Sequence, residues 1–193
     1  MPLRDSLRRL VARVGPISRR YFVSNGFDGT LTSIGLILGA TLSGVTDGFT
    51  VVKIGLGAAV GLSTSGVWSV WEIERAEKLI EIHDLERAML VDLDDTRIEH
   101  ASQRARVGNA VMSGLGPLVG ILIPISPFLV AGTALSIREA TVVAVALGVA
   151  ILFAFGAYMG SLSEQNWVVA GVRMGLAGLV VAAINVLLPG AGP

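Results

Sequence analysis

Five stretches of this sequence are too long and too apolar to sit comfortably in water: about residues 29–46, 50–71, 108–131, 139–160 and 167–188. Each comes close to the roughly 20 residues that a helix needs to cross a hydrocarbon layer about 30 Å thick. Lipid offers the backbone no hydrogen-bond partner, so each stretch must close its own bonds as a helix. A soluble core has no use for five such segments, and the composition agrees: 52% of the residues are hydrophobic and 16% charged. The expected fold class is all-α integral membrane, with five transmembrane helices. The absence of cysteine removes disulfides, thiolate metal sites and thiol catalysis.

The basic residues orient the chain. Arg4, Arg8, Arg9, Arg13, Arg19, Arg20, Arg75, Lys78, Arg87, Arg97, Arg104, Arg106 and Arg173 fall on one side of the five spans, and only Lys53 and Arg138 on the other. Positive charge marks the cytoplasmic loops, so the N-terminus is expected inside and the C-terminus outside. Residues 2–20 carry Leu3, Leu7, Leu10 and Val14 at helical spacing with arginines between them, which suits an amphipathic helix on the membrane surface. Pro16 is expected to end or bend it. Arginines extend to Arg20 and no small-residue cleavage pattern precedes the next span, so the segment does not read as a secretory signal. The chain divides into residues 1–20 (a basic interfacial helix), 21–71 (helices one and two), 72–107 (an acidic cytoplasmic segment) and 108–193 (helices three to five).

The acidic segment holds ten of the fifteen acids, and residues 72–90 contain neither Gly nor Pro and read as a helix. Glu74, Glu77, Glu81 and Asp84 recur at i, i+3, i+7 and i+10, which puts them on one stripe. One reading is a solvated face laced with pairs such as Glu74 to Lys78. The other is a surface that collects cations, because carboxylates three and four apart can share a divalent ion.

Two carboxylates lie closer to the bilayer. Asp28 stands before Gly29 and Thr30 at the start of the first span, where it reads either as an N-cap or as an ion ligand. Glu72 ends the second span beside Trp71 and one turn after Trp68, where it reads either as a side chain snorkelling to water or as a partner of Asp28. The charge count puts both at the cytoplasmic end, so they are expected to face each other at one mouth. Asn25, Asn109 and Asn166 also lie near cytoplasmic ends and read first as caps. Met112, Met159 and Met174 read as packing, and His83 and His100 as exposed surface.

Small residues recur as GxxxG in every span: Gly35 and Gly39, Gly57 and Gly61, Gly116 and Gly120, Gly156 and Gly160, Gly171 and Gly175. This spacing lets helix backbones approach closely. Five small spans leave little room for an internal cavity, which favours a path at a symmetric dimer seam, with span one at that seam because it carries Asp28. Pro117, Pro124 and Pro127 are expected to bend span three and free backbone carbonyls.

Taken in order, the basic lead-in with SNGFDGTLTSIGLILGA, a Glu closing span two, the acidic insert, GPLVGILIPISPF and FGAYMGSLSEQNWVVAGVRMGLAGLVVAAI resemble the vacuolar iron transporter family, also called the yeast cross-complements-calcium-sensitivity family. The resemblance covers roughly residues 20–188. It implies a homodimer of five-helix subunits that exports ferrous iron or manganese from the cytoplasm in exchange for protons, fed by a carboxylate-rich cytoplasmic domain. It also implies that Asp28 and Glu72 are the membrane acids, with Glu74, Glu77, Glu81 and Asp84 as a reduced metal-collecting set. Two departures stand out: Trp68 occupies the place of a methionine found in iron-selective members, and the insert of residues 72–107 is shorter than the three-helix domain of eukaryotic members.

These readings predict a membrane transporter in which metal and proton compete for one carboxylate site. The competing reading is a non-transporting membrane scaffold or sensor whose acidic segment binds a partner. No nucleophile and base stand in a recognisable arrangement and no phosphate-cradling loop is present, so an enzyme is not expected. Neither is a resident cofactor, the metal being cargo, nor a nucleic-acid partner. The compact length and small insert favour a prokaryotic plasma membrane.

Overall fold

The computed structural model describes residues 15–90 and 97–188, with side chains in the second stretch from residue 103 onward. Five long helices follow one another: α1 (Pro16–Leu42), α2 (Gly48–Met89), α3 (Arg97–Ile125), α4 (Ile137–Leu162) and α5 (Trp167–Leu187). A 3-10 turn, Ser126–Val130, extends α3. The expected amphipathic helix lies, up to residue 14, outside the described residues. Pro16 opens α1 instead of ending a preceding helix, because in the first turn its missing N–H would have had no partner anyway.

Three other starts are written as caps. The Asp47 carboxylate accepts the amides of Phe49 and Thr50. Ser136 and Glu139 form a reciprocal capping box at α4. The Asn166 side chain accepts the amides of Val168 and Val169, which bears out its reading as a cap.

α2, α4 and α5, and α3 together with its 3-10 turn, are long and apolar enough to cross a membrane. α1 is long enough but too polar by composition, and packing explains why. It lies against α3, α4 and α5, so Thr30 and Ser33 are fully buried inside the protein. The outer helices show the opposite pattern: only 17% of the α5 window is buried, leaving Val172, Leu176, Leu179 and Val180 on the outer surface, as lipid as solvent allows.

Neighbouring contacts fix the directions. Ser18 meets Asn109 and Ser33 meets Gly120, so α1 and α3 run parallel. α2 runs against α3, with Gly55 at Ile125 and Gly66 at Ser113, and α4 runs against α5, with Gly178 at Val149 and Leu152, and Gly160 at Trp167. The buried apolar side chains gather toward the C-terminal end of α1, where Ile37, Val51, Ile121, Ile125, Phe128 and Ala144 form one cluster and Ile34, Leu38 and Leu152 another. The opposite end of α1 is where buried polar groups collect. α2 has 42 residues, about 63 Å of helix, roughly twice the hydrocarbon thickness. Residues 72–89 therefore continue the second span as one unbroken rod.

Candidate functional site

Three helices meet through polar side chains at the N-terminal end of α1. Ser18 Oγ donates to Asn109 Oδ1 in a short hydrogen bond. Seven residues on, Asn25 Nδ2 donates to Ser113 Oγ at 2.5 Å, and that hydroxyl donates to the Gly66 carbonyl at 2.8 Å. The Tyr21 hydroxyl lies beside the Glu74 carboxylate. The Arg106 guanidinium lies 4.4 Å over the Trp71 ring. Asn25 and Asn109 are thus bridges between helices and cap nothing.

Asp28 is not an N-cap. Gly15 caps α1, and Asp28 sits near the middle of the 27-residue helix. Gly26, Gly29, Thr30 and Ser33 face the bundle, whereas Ser24, Asp28 and Thr32 are exposed. These three, four residues apart, make a polar stripe along the face of α1 that its own subunit leaves uncovered. The i, i+4 spacing was readable in the sequence, but its exposure was not.

Glu72 is also exposed, at a different depth. Asn25 and Gly66 mark one level because both bond Ser113. Asp28 lies three residues beyond it in one direction and Glu72 six in the other, a separation of about 13 Å along the helices. Within one subunit the two carboxylates therefore do not meet around a single ion.

The acidic stripe divides. Glu74 is 3% exposed, while Glu77, Glu81 and Asp84 are exposed. With Glu74 turned toward Tyr21, Lys78 pairs with Glu81 at 2.5 Å instead of with Glu74. Such an exposed pair contributes little stability. His83 is exposed, and the side chain of His100 lies outside the described residues. Among the described residues no group of three or more His, Asp or Glu side chains is gathered to hold a metal.

The open glycines are as informative as the acids. A Cβ at Gly156 would stand 2.9 Å from Gly171 Cα, and one at Gly29 would stand 2.7 Å from Pro117 Cα, so these positions are used within the subunit. Gly39, Gly57 and Gly61 have nothing within 4 Å, and Gly35 has only Asn185 at 3.7 Å. The GxxxG motifs of α1 and α2 are thus left largely free on the subunit surface.

Comparison with known proteins supplies a lineage for this arrangement. An uncharacterized protein of Methanocaldococcus jannaschii is 27% identical over 183 residues, 93% of each chain. The VIT family matches residues 69–189, from the last part of the α2 span through α3, α4 and α5. The match spans more than half of the sequence, so the chain belongs to the VIT family, the vacuolar iron transporter family of membrane metal transporters.

Proposed function

We propose that this protein exports ferrous iron or manganese from the cytoplasm in exchange for protons, working as a homodimer with its N-terminus inside, in a prokaryotic plasma membrane. The observation that carries the reading is the exposed stripe of Ser24, Asp28 and Thr32 on a helix otherwise packed into the bundle. A carboxylate facing hydrocarbon is costly and calls for a partner or a water-filled path. A second subunit laid on the same face, with the free glycines of α1 and α2 allowing close approach, supplies both. Two copies of Asp28 then flank one path, and hydroxyls from Ser24 and Thr32 add neutral oxygens suited to hard or borderline cations.

Glu72 acts as an earlier station at the mouth, and Glu77, Glu81 and Asp84 on the protruding part of α2 attract cations before either. Exchange follows from carboxylate chemistry: a proton arriving at the ligand oxygen displaces the metal, and a metal arriving displaces the proton.

The test is metal flux in proteoliposomes with and without an opposing pH gradient. Wild type is expected to move Fe2+ or Mn2+ faster with the gradient, and Asp28→Asn to fall to the rate of empty vesicles while remaining a folded dimer. Transport by Asp28→Asn at the wild-type rate overturns the role of the carboxylate. Absence of flux in the wild type leaves a scaffold or sensor as the better account.

A further inference from the structure

Proline inside a helix lacks the N–H that would bond the carbonyl four residues earlier. Pro117 and Pro124 lie inside α3, so they leave the carbonyls of Ser113 and Gly120 without their helical donors. A buried carbonyl without a partner is costly, most of all in lipid. Both are met by side chains of α1: Asn25 Nδ2 stands 3.3 Å from the Ser113 carbonyl, and Ser33 Oγ stands 3.1 Å from that of Gly120. Ser33 Oγ is also 2.8 Å from the Thr30 carbonyl, but that group has its own helical donor and Gly120 does not.

The surfaces between these two bonds are smooth. A Cβ at Gly120 would lie 2.8 Å from Thr30 N, and one at Gly26 would lie 3.3 Å from the Gly116 carbonyl, so bare backbones touch. Contacts this close exclude any side chain and bring the axes together, but they supply no directional bond. A turn of α1 by one residue moves a side chain by about 100° around the axis. For Asp28, which lies between Asn25 and Ser33, that turn means leaving the uncovered face.

We infer that Asn25 and Ser33 are positioning residues that lock α1 onto the proline-freed carbonyls of α3 and so hold Asp28 on the exposed stripe. The consequence for transport rests on the exchange reading above, whereas the placement of Asp28 does not.

The test uses the absence of native cysteine. A nitroxide on Asp28→Cys reports, through its accessibility to oxygen and to a water-soluble nickel chelate, which way position 28 faces. It is read alone, with Ser33→Ala, and with Ser33→Ala plus Pro124→Ala; Asn25→Ala with Pro117→Ala forms a second set. The proline replacement returns an N–H to the orphaned carbonyl without restoring the tie to α1. The double variants are expected to recover the thermal midpoint lost in the single ones but to keep an accessibility ratio altered at least twofold. With Asp28 intact, they are expected to keep an apparent KM for metal raised about fivefold.

Recovery of accessibility together with stability in the double variants overturns the inference, because satisfying the carbonyl would then be the whole role. So does an unchanged ratio in the single variants, or a loss of fold that the restored N–H does not relieve. Wild type without metal flux removes the exchange reading alone, since the nitroxide still decides where position 28 faces.

Discussion

The α1–α3 and α4–α5 seams both rely on glycine, yet they are held together differently. Between α4 and α5 the glycines receive side chains and backbone directly: Gly160 meets Trp167 and Ala170, and Gly171 meets Phe153. Phe153 and Trp167 complete the seam edge to face at 6.4 Å. Shape alone closes it, and no side-chain hydrogen bond crosses it among the described residues. Between α1 and α3 the glycines bring backbones together, and Ser18, Asn25 and Ser33 add directional bonds. Lipid provides no hydrophobic drive for helices to associate, so a seam needs close packing, polar bonds or both. The seam made by the helix that carries Asp28 uses both.

The contrast is broken most severely at Gly156. A new Cβ there meets backbone, which cannot move aside, so Gly156→Ala should cost about 1–3 kcal/mol and Gly156→Leu more. Thermal unfolding in detergent checks it, and an unchanged midpoint would mean that α4 and α5 do not touch as described. Gly39→Leu should behave otherwise: nothing lies within 4 Å, so the folded subunit survives while the mass in detergent shifts from dimer to monomer. A dimer of unaltered stability would remove α1 from the seam between subunits.

Smaller effects sharpen the picture at the helix ends. The Thr50 hydroxyl, and then the Phe49 amide, hold the Asp47 carboxyl below its ordinary value. A depressed value means that the cap contributes above the ordinary carboxyl range and is lost as pH falls through the depressed value. Hydrogen exchange at Phe49 and Thr50 should therefore quicken on acidification below about pH 4, and Asp47→Asn, an equally good cap, should lose that dependence. Smallest of all is Leu90→Gly. Leu90 ends α2 in a left-handed conformation with φ 54° and is 90% exposed. Glycine removes the Cβ clash there at some entropic cost, for a net gain below about 1 kcal/mol in thermal stability.

Much of this was legible in the sequence for physical reasons. Apolar run length fixes helices in lipid, which is why α2, α4 and α5 fall where expected, and the lack of Gly and Pro in residues 72–90 reads correctly as a helix through Met89. α1 was harder, because its polar residues serve the interior of the bundle and depress the hydropathy on which the reading relies. No cap forms at Asp28 because the helix begins twelve residues earlier, at Pro16, in a polar stretch that apolar run length does not reveal. The prolines of α3 announced which carbonyls would be freed, but the donors from Asn25 and Ser33 come from tertiary structure that no local pattern encodes. Periodicity likewise put Glu74, Glu77, Glu81 and Asp84 on one stripe. Burial beside Tyr21 separates Glu74 from the other three, which tertiary structure alone decides.

The unbroken length of α2 has an electrical consequence. Asp84 lies twelve residues beyond Glu72, about 18 Å further along the rod. The potential of an anionic leaflet decays over about 8 Å at physiological ionic strength. On the proposed reading, an ion drawn to Asp84 exchanges with a solution more than two decay lengths from Glu72, while one at Glu72 exchanges with the layer enriched by the lipid charge. The same helix carries carboxylates in both, so metal occupancy at its tip is expected to follow bulk concentration and occupancy at its base to follow lipid composition.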